Sequence, residues 1–109
     1  MIGETPMKDF FIKAIKDGRI ITSHISLFAS ICQCWHNKAF QHPIPITRKE
    51  LMRLSKIASF ATYHKCMREL DNFGYLRYEP SYKPTGSLVY WPLPWSEPPD
   101  QKKEPGNPA

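Results

Sequence analysis

Residues 47–76 read Thr-Arg-Lys-Glu-Leu-Met-Arg-Leu-Ser-Lys-Ile-Ala-Ser-Phe-Ala-Thr-Tyr-His-Lys-Cys-Met-Arg-Glu-Leu-Asp-Asn-Phe-Gly-Tyr-Leu. Two short helical patterns stand here with a tight turn between them. The first opens with a capping box, in which Thr47 caps and Glu50 reaches back to the N–H of the cap. Leu51 and Leu54 follow at helical spacing, and Ile57 falls in the turn. The second pattern opens with Ser59, a favoured N-cap, and repeats its apolar residues at Tyr63, Cys66, Met67, Leu70 and Phe73. Gly74 ends it at the position where a left-handed backbone is usually required. A helix, a tight turn and a second capped helix are the parts of a helix-turn-helix.

Downstream of Gly74 the period changes from helical to alternating. Residues 75–79 and 87–91 form two aromatic strand candidates, and the Pro- and Gly-containing run 80–86 between them makes a hairpin with a seven-residue tip. Upstream, Pro43 and Pro45 exclude a helix and leave a short extended piece that leads into Thr47. Before it, a long helix is expected from a cap at Thr22 or Ser23 to about Phe40. Its apolar stripe is Ile25, Phe28, Cys32, Trp35 and Ala39. Leu27, Ile31 and Cys34 make a second apolar side on the same helix. That side is either sandwiched between other helices or offered to a second copy of the chain, giving a homodimer. A first helix is expected over 7–17, on the spacing of Phe10, Phe11, Ala14 and Ile15, with Gly18 as its stop.

The expected architecture is therefore mainly α with a small β-hairpin, in the order α-α-β-α-α-β-β. It occupies one domain over 7–95, after a loose lead-in at 1–6. Six of the last eighteen residues are proline, so 96–109 is expected to be a disordered tail, with Trp95 docking just before it.

The 109 residues suffice for a single modest core, and 41% apolar residues argue for a folded chain. No apolar run reaches membrane-spanning length, and the N-terminus lacks the layout of a signal peptide. Three cysteines, an odd number, give no disulfide framework, so a cytoplasmic location is the expectation. Net charge is +5, but residues 7–91 hold 13 basic against 6 acidic groups, a balance of +7. The cations concentrate on the helix pair, as a polyanion partner would require.

The run Thr47-x-x-Glu50-Leu51-x-x-Leu54-x-x-Ile57-x-Ser59-x-x-Thr62-Tyr63-x-Lys65-x-x-x-x-Leu70-x-x-x-Gly74-x-Leu76 resembles the winged helix-turn-helix of bacterial regulators of the MarR and GntR kind. It is similar also to small winged-helix proteins of bacterial mobile elements. The resemblance spans about residues 20–91. It implies that the segment from Thr62 to Gly74 is the recognition helix and that 75–91 is the wing. The chain departs from both regulator types in having no long C-terminal dimerisation helix and no attached ligand-binding domain. No small-molecule effector is therefore expected.

In a helix that enters the major groove, base-reading side chains come from the N-terminal half and the side away from the core. The base-reading set is then Ser59, Ala61, Thr62, His64 and Lys65, led by Lys65. The phosphate set is Arg48, Lys49, Arg53, Lys56 and Arg68, with Lys83 at the hairpin tip. The expected partner is double-stranded DNA, and the expected role is transcription regulation. The rival role is a protein-interaction adaptor, or an accessory factor in replication or on a mobile element, docking through Leu27, Ile31 and Cys34. Metal ligation is not expected, because Cys32 and Cys34 are two apart and point about 200° apart on a helix. No cofactor loop, carboxylate pair or nucleophilic triad supports catalysis, so an enzyme is not expected either.

Overall fold

Thr47 and Ser59 cap the central helices as their residue types require, because each side-chain oxygen accepts from a first-turn N–H. Thr47 Oγ1 takes the Glu50 N–H at 3.2 Å, and Ser59 Oγ takes the Thr62 N–H at 3.2 Å. The structure, a computed structural model, describes residues 5–81 and 86–92. The elements run α1 (Thr5–Ala14), α2 (Thr22–Asn37), β1 (Ile44–Ile46), α3 (Arg48–Ser55), α4 (Phe60–Asn72), β2 (Arg77–Glu79) and β3 (Ser87–Tyr90). The chain is thus mostly helical with one small antiparallel sheet, of strand order β1-β3-β2. Among the described residues no helix is long and apolar enough to cross a membrane.

The proline-flanked piece before α3 is a working strand. Ile44 pairs with Val89 and Ile46 with Ser87, while β2 pairs from the other side with Tyr78 opposite Val89. Alternation turns Ile44, Ile46 and Val89 into the core, at 0–1% exposure, and leaves Pro45 half-buried, where its missing N–H does least harm.

Helix α2 is the central strut and packs against α1, α3, α4 and β1. Leu27, Ile31 and Cys34 are 0% exposed, as is Trp35. The second apolar side of α2 is therefore covered by this chain's own α3, α4 and sheet, and it is not a self-association or adaptor surface. A helix with four packed neighbours has no free apolar stripe to offer. Truncating Leu27 or Ile31 would open a cavity costing about 2–5 kcal/mol.

Several boundaries differ from expectation for local reasons. Helix α2 is capped by Ile21, not by Thr22 or Ser23: the Ile21 N–H donates to Nδ1 of His24, three residues on, at 3.0 Å. It stops at Asn37 because Ala39 and Phe40 turn left-handed (φ 55° and 64°), and the Phe40 ring then closes edge-on over Trp35 at 5.0 Å. The reciprocal half of the capping box at Thr47 is replaced, since Glu50 Oε1 takes Lys38 Nζ at 3.4 Å. Helix α1 begins within the expected lead-in, with Pro6 in its first turn, where no N–H is needed. It ends three residues early in tighter i→i−3 bonds at Lys16 and Asp17. Lys83, Trp95 and the tail at 96–109 lie outside the described residues.

Asp17 then fastens α1 to the end of α4. Its carboxylate takes Arg19 Nε and Nη2 at 2.8 and 2.9 Å and the Tyr75 hydroxyl at 2.8 Å. Lys13 Nζ donates to the Phe73 carbonyl at 2.8 Å across the same seam. Gly74 (φ 85°) makes the turn there that another residue would strain.

Candidate functional site

Helix α4 shows water one clean side. Tyr63, Cys66, Met67 and Leu70 are buried, whereas Phe60, Ala61, Thr62, Lys65 and Arg68 are exposed and His64 is half-buried. Helical spacing divides this exposed surface into three lines. Phe60, His64 and Arg68, four apart, run along the side toward the hairpin; Ala61 and Lys65 form the crest; Thr62 lies on the side toward α2.

A groove flanks α4 on each side. The hairpin-side groove, of about 530 Å3, is lined by Ile46–Lys49, by Tyr63, His64 and Arg68 of α4, and by Tyr78, Pro80, Ser81, Gly86 and Ser87. Arg48, Lys49 and Arg68 are all exposed, and among the described residues no carboxylate lines this groove. Its outer wall depends on Gly86. A Cβ there would lie 2.2 Å from the Ile46 carbonyl oxygen, and the residue holds φ +94°, so only glycine lets the hairpin close against β1.

The second groove, of about 420 Å3, runs between α4 and the start of α2 and is lined by Thr22, Ser23, Ser26, Ser55, Lys56, Ile57, Ala58, Ser59 and Thr62. Hydroxyls dominate it, with Lys56 as the cation. Lys56 caps α3 in the left-handed region (φ 67°), and Ser26 Oγ ties the turn by donating to the Ser55 carbonyl at 2.6 Å.

The residues expected from sequence therefore divide. Arg48, Lys49, His64 and Arg68 come together in one groove, and Lys56, Ser59 and Thr62 in the other. Ala61 and Lys65 stand between them, and Lys65 Nζ lies 3.8 Å from Glu69 Oε2, an exposed pair worth at most about 1 kcal/mol. Arg53 is exposed on α3 but lines neither groove. Phe60 was not legible as a surface residue. It belongs to neither the apolar repeat nor the exposed set expected of this helix, and as the first residue of α4 it is 58% exposed. The Arg48 guanidinium lies over its ring, 4.3 Å from the centroid.

A second cluster brings ligand atoms of His24, Cys66 and Glu69 within 4.8 Å of one another. Because His24 Nδ1 accepts the Ile21 N–H, its ring proton belongs on Nε2, which donates to Glu69 Oε1 at 2.8 Å. A metal on Nε2 would displace that proton, and the second ring nitrogen could not carry the N–H that usually orients a ligating histidine. Burial also pushes the Cys66 thiol up, away from the thiolate a metal needs. The arrangement is suited to tying α2 to α4. Burial likewise raises the other thiols, Cys32 to about 12 and Cys34 to about 11.

Set against protein-family models, curated proteins and solved structures, the chain finds no match in any of the three.

Proposed function

We propose that the chain is a winged helix-turn-helix protein that binds double-stranded DNA sequence-specifically and regulates transcription. In this reading α4 is the recognition helix, lying in a major groove wide enough for one helix, and the β2–β3 hairpin is the wing. The observation that carries it is the groove between α4 and the hairpin, where Arg48, Lys49 and Arg68 converge with no lining carboxylate among the described residues. A row of like charges costs the free protein some repulsion, which a phosphate backbone relieves. The second groove supports the reading from the other flank, since hydroxyls and Lys56 suit the opposite strand's phosphates. Lys65 and Ala61 on the crest then face base edges.

The test is fluorescence anisotropy with random and selected duplexes over a salt series. Arg48, Lys49, Lys56 and Arg68, the cations that line the two grooves, together imply a log–log salt slope of about −4. Lys65→Ala lowers discrimination between sites, while Lys49→Ala weakens all duplexes about equally. A protein that passes through heparin at low salt and binds neither duplex overturns the reading.

One observation favours the adaptor alternative. Phe11 and Ile12 on the outer side of α1 and Ile15 just after its end are 47%, 58% and 83% exposed, so an apolar contact face exists, though not the one on α2. Under that alternative the heparin result is negative, and Ile12→Lys with Ile15→Lys leaves the fold intact.

A further inference from the structure

We infer that Phe60 and Arg48 act as a pair that selects a thymine methyl group beside a guanine, a role that rests on the DNA reading above. Phe60 is the first residue of α4, the end of the helix nearest the bases in that reading. It is 58% exposed, whereas Tyr63 and Met67 on the same helix are at 1% and 0%. The contact the ring makes inside the domain is with Arg48 of α3 rather than with the core.

Arg48 gives the ring its chemical meaning. It takes part in none of the ion pairs among the described residues, and its guanidinium carbon sits 4.3 Å from the ring centroid instead. A cation held over an aromatic face is positioned without a carboxylate partner, which leaves the guanidinium's N–H donors uncommitted to an ion pair. An arginine paired to a carboxylate would have to break that pair before reading a base.

The major-groove edges match this pair well. Thymine alone presents a methyl group there, and guanine alone presents the two acceptors, N7 and O6, that fit an arginine fork. The guanidinium lies over the ring, its carbon 4.3 Å from the centroid, so the two groups enter a groove side by side. The ring is assigned to the thymine and the fork to a guanine at an adjoining base pair. Arg48 accordingly moves from the phosphate set to base reading, and Lys49 and Arg68 remain with the backbone.

The experiment begins with selection of bound duplexes from a random pool by the full chain. Each thymine of the recovered site is then replaced in turn by deoxyuridine, which lacks only the C5 methyl, and each guanine by 7-deazaguanine, which lacks N7. For the unaltered protein, one thymine replacement weakens binding about fourfold, the worth of one buried methyl group, and 7-deazaguanine at an adjoining base pair weakens it about tenfold. Phe60→Ala binds the thymine and deoxyuridine duplexes equally, Phe60→Leu keeps part of the difference, and Arg48→Lys loses the 7-deazaguanine effect. Circular dichroism of the three variants is expected to match the parent, since both side chains are exposed. If a site is recovered but every deoxyuridine replacement is neutral, the pairing is overturned and the DNA reading stands. If the pool shows no enrichment, both fall.

Discussion

The hairpin side of α4 presents Arg48, Lys49 and Arg68, while the α2 side presents Thr22, Ser23, Ser59 and Thr62 with Lys56. Cations act over about a Debye length, near 8–10 Å at ordinary ionic strength, and weaken as salt rises. Hydroxyls act only at contact, and are largely indifferent to salt. On the DNA reading proposed above, one flank of the same helix attracts and the other seats. The difference follows from what each flank is made of. The cations come from the first turn of α3 and the middle of α4, whereas in the second groove Ser59 caps α4 and Ser26 ties the α3–α4 turn.

Removing the attracting flank is expected to have the largest effect. Lys49→Ala with Arg68→Ala should weaken duplex binding about a hundredfold, at about tenfold per charge-assisted contact, and should flatten the salt slope by about 2. A slope that stays unchanged in titrations at several salt concentrations would mean that neither side chain meets a phosphate. Gly86→Ala attacks the wall of the same groove rather than its charge. The added Cβ, 2.2 Å from Ile46 O, should cost about 2–3 kcal/mol of stability. Thermal unfolding followed by circular dichroism checks this, at roughly 4–8 °C per kcal/mol.

The seating flank is probed by smaller changes. Ser59→Ala removes the α4 cap and should cost about 1 kcal/mol in chemical denaturation, with little change in salt slope. Lys56→Gly separates conformation from charge. It relieves a left-handed lysine and should raise stability by about 0.5–1 kcal/mol, while lowering the salt slope by about 0.9. If stability falls instead, the lysine stem is packing on the turn.

The seam at Asp17 sharpens the picture of how α4 is held, through pH. The Arg19 guanidinium, with help from the Tyr75 hydroxyl, holds the Asp17 carboxyl well below the usual carboxylate range. Its contribution is therefore complete above about pH 4 and fades only in strong acid. Burial and Asp17 itself push the Tyr75 phenol up to about 12. That contribution is complete below about pH 10 and is lost as pH rises from 10 toward 12. Denaturant midpoints should thus fall in alkali before they fall in mild acid, and Tyr75→Phe should blunt the alkaline loss.

The order of elements was legible because its punctuation is local. Thr47, Ser59 and Gly74 act through their own backbone neighbours, and Pro43 and Pro45 forbid what a helix needs. The Ile21–His24 cap was not legible, because an imidazole that accepts from the N–H three residues back follows no common pattern. Nor was the covering of Leu27, Ile31 and Cys34. Periodicity shows that a helix has two apolar sides, but which neighbour lies on each depends on long-range packing. The two grooves were half legible. Their cations stand out in sequence, but the distribution of those cations between two flanks depends on a hairpin whose approach is permitted by Gly86. Phe60 went unassigned for a simpler reason, since helical spacing does not mark where the core stops.

The pairing of β1 with β3 has a consequence for the order in which the molecule comes together. Its bonds join residues 44–46 to 87–89, so α3 and α4 lie inside one closed loop of chain. Closing a loop of that length costs on the order of 3 kcal/mol of chain entropy, which three short strands recover only once the helices between them have shortened the span. The hairpin-side groove, walled by Ile46, Tyr78 and Ser87, therefore depends on that long-range closure, whereas the α2-side groove, built from α2 and the α3–α4 turn, does not.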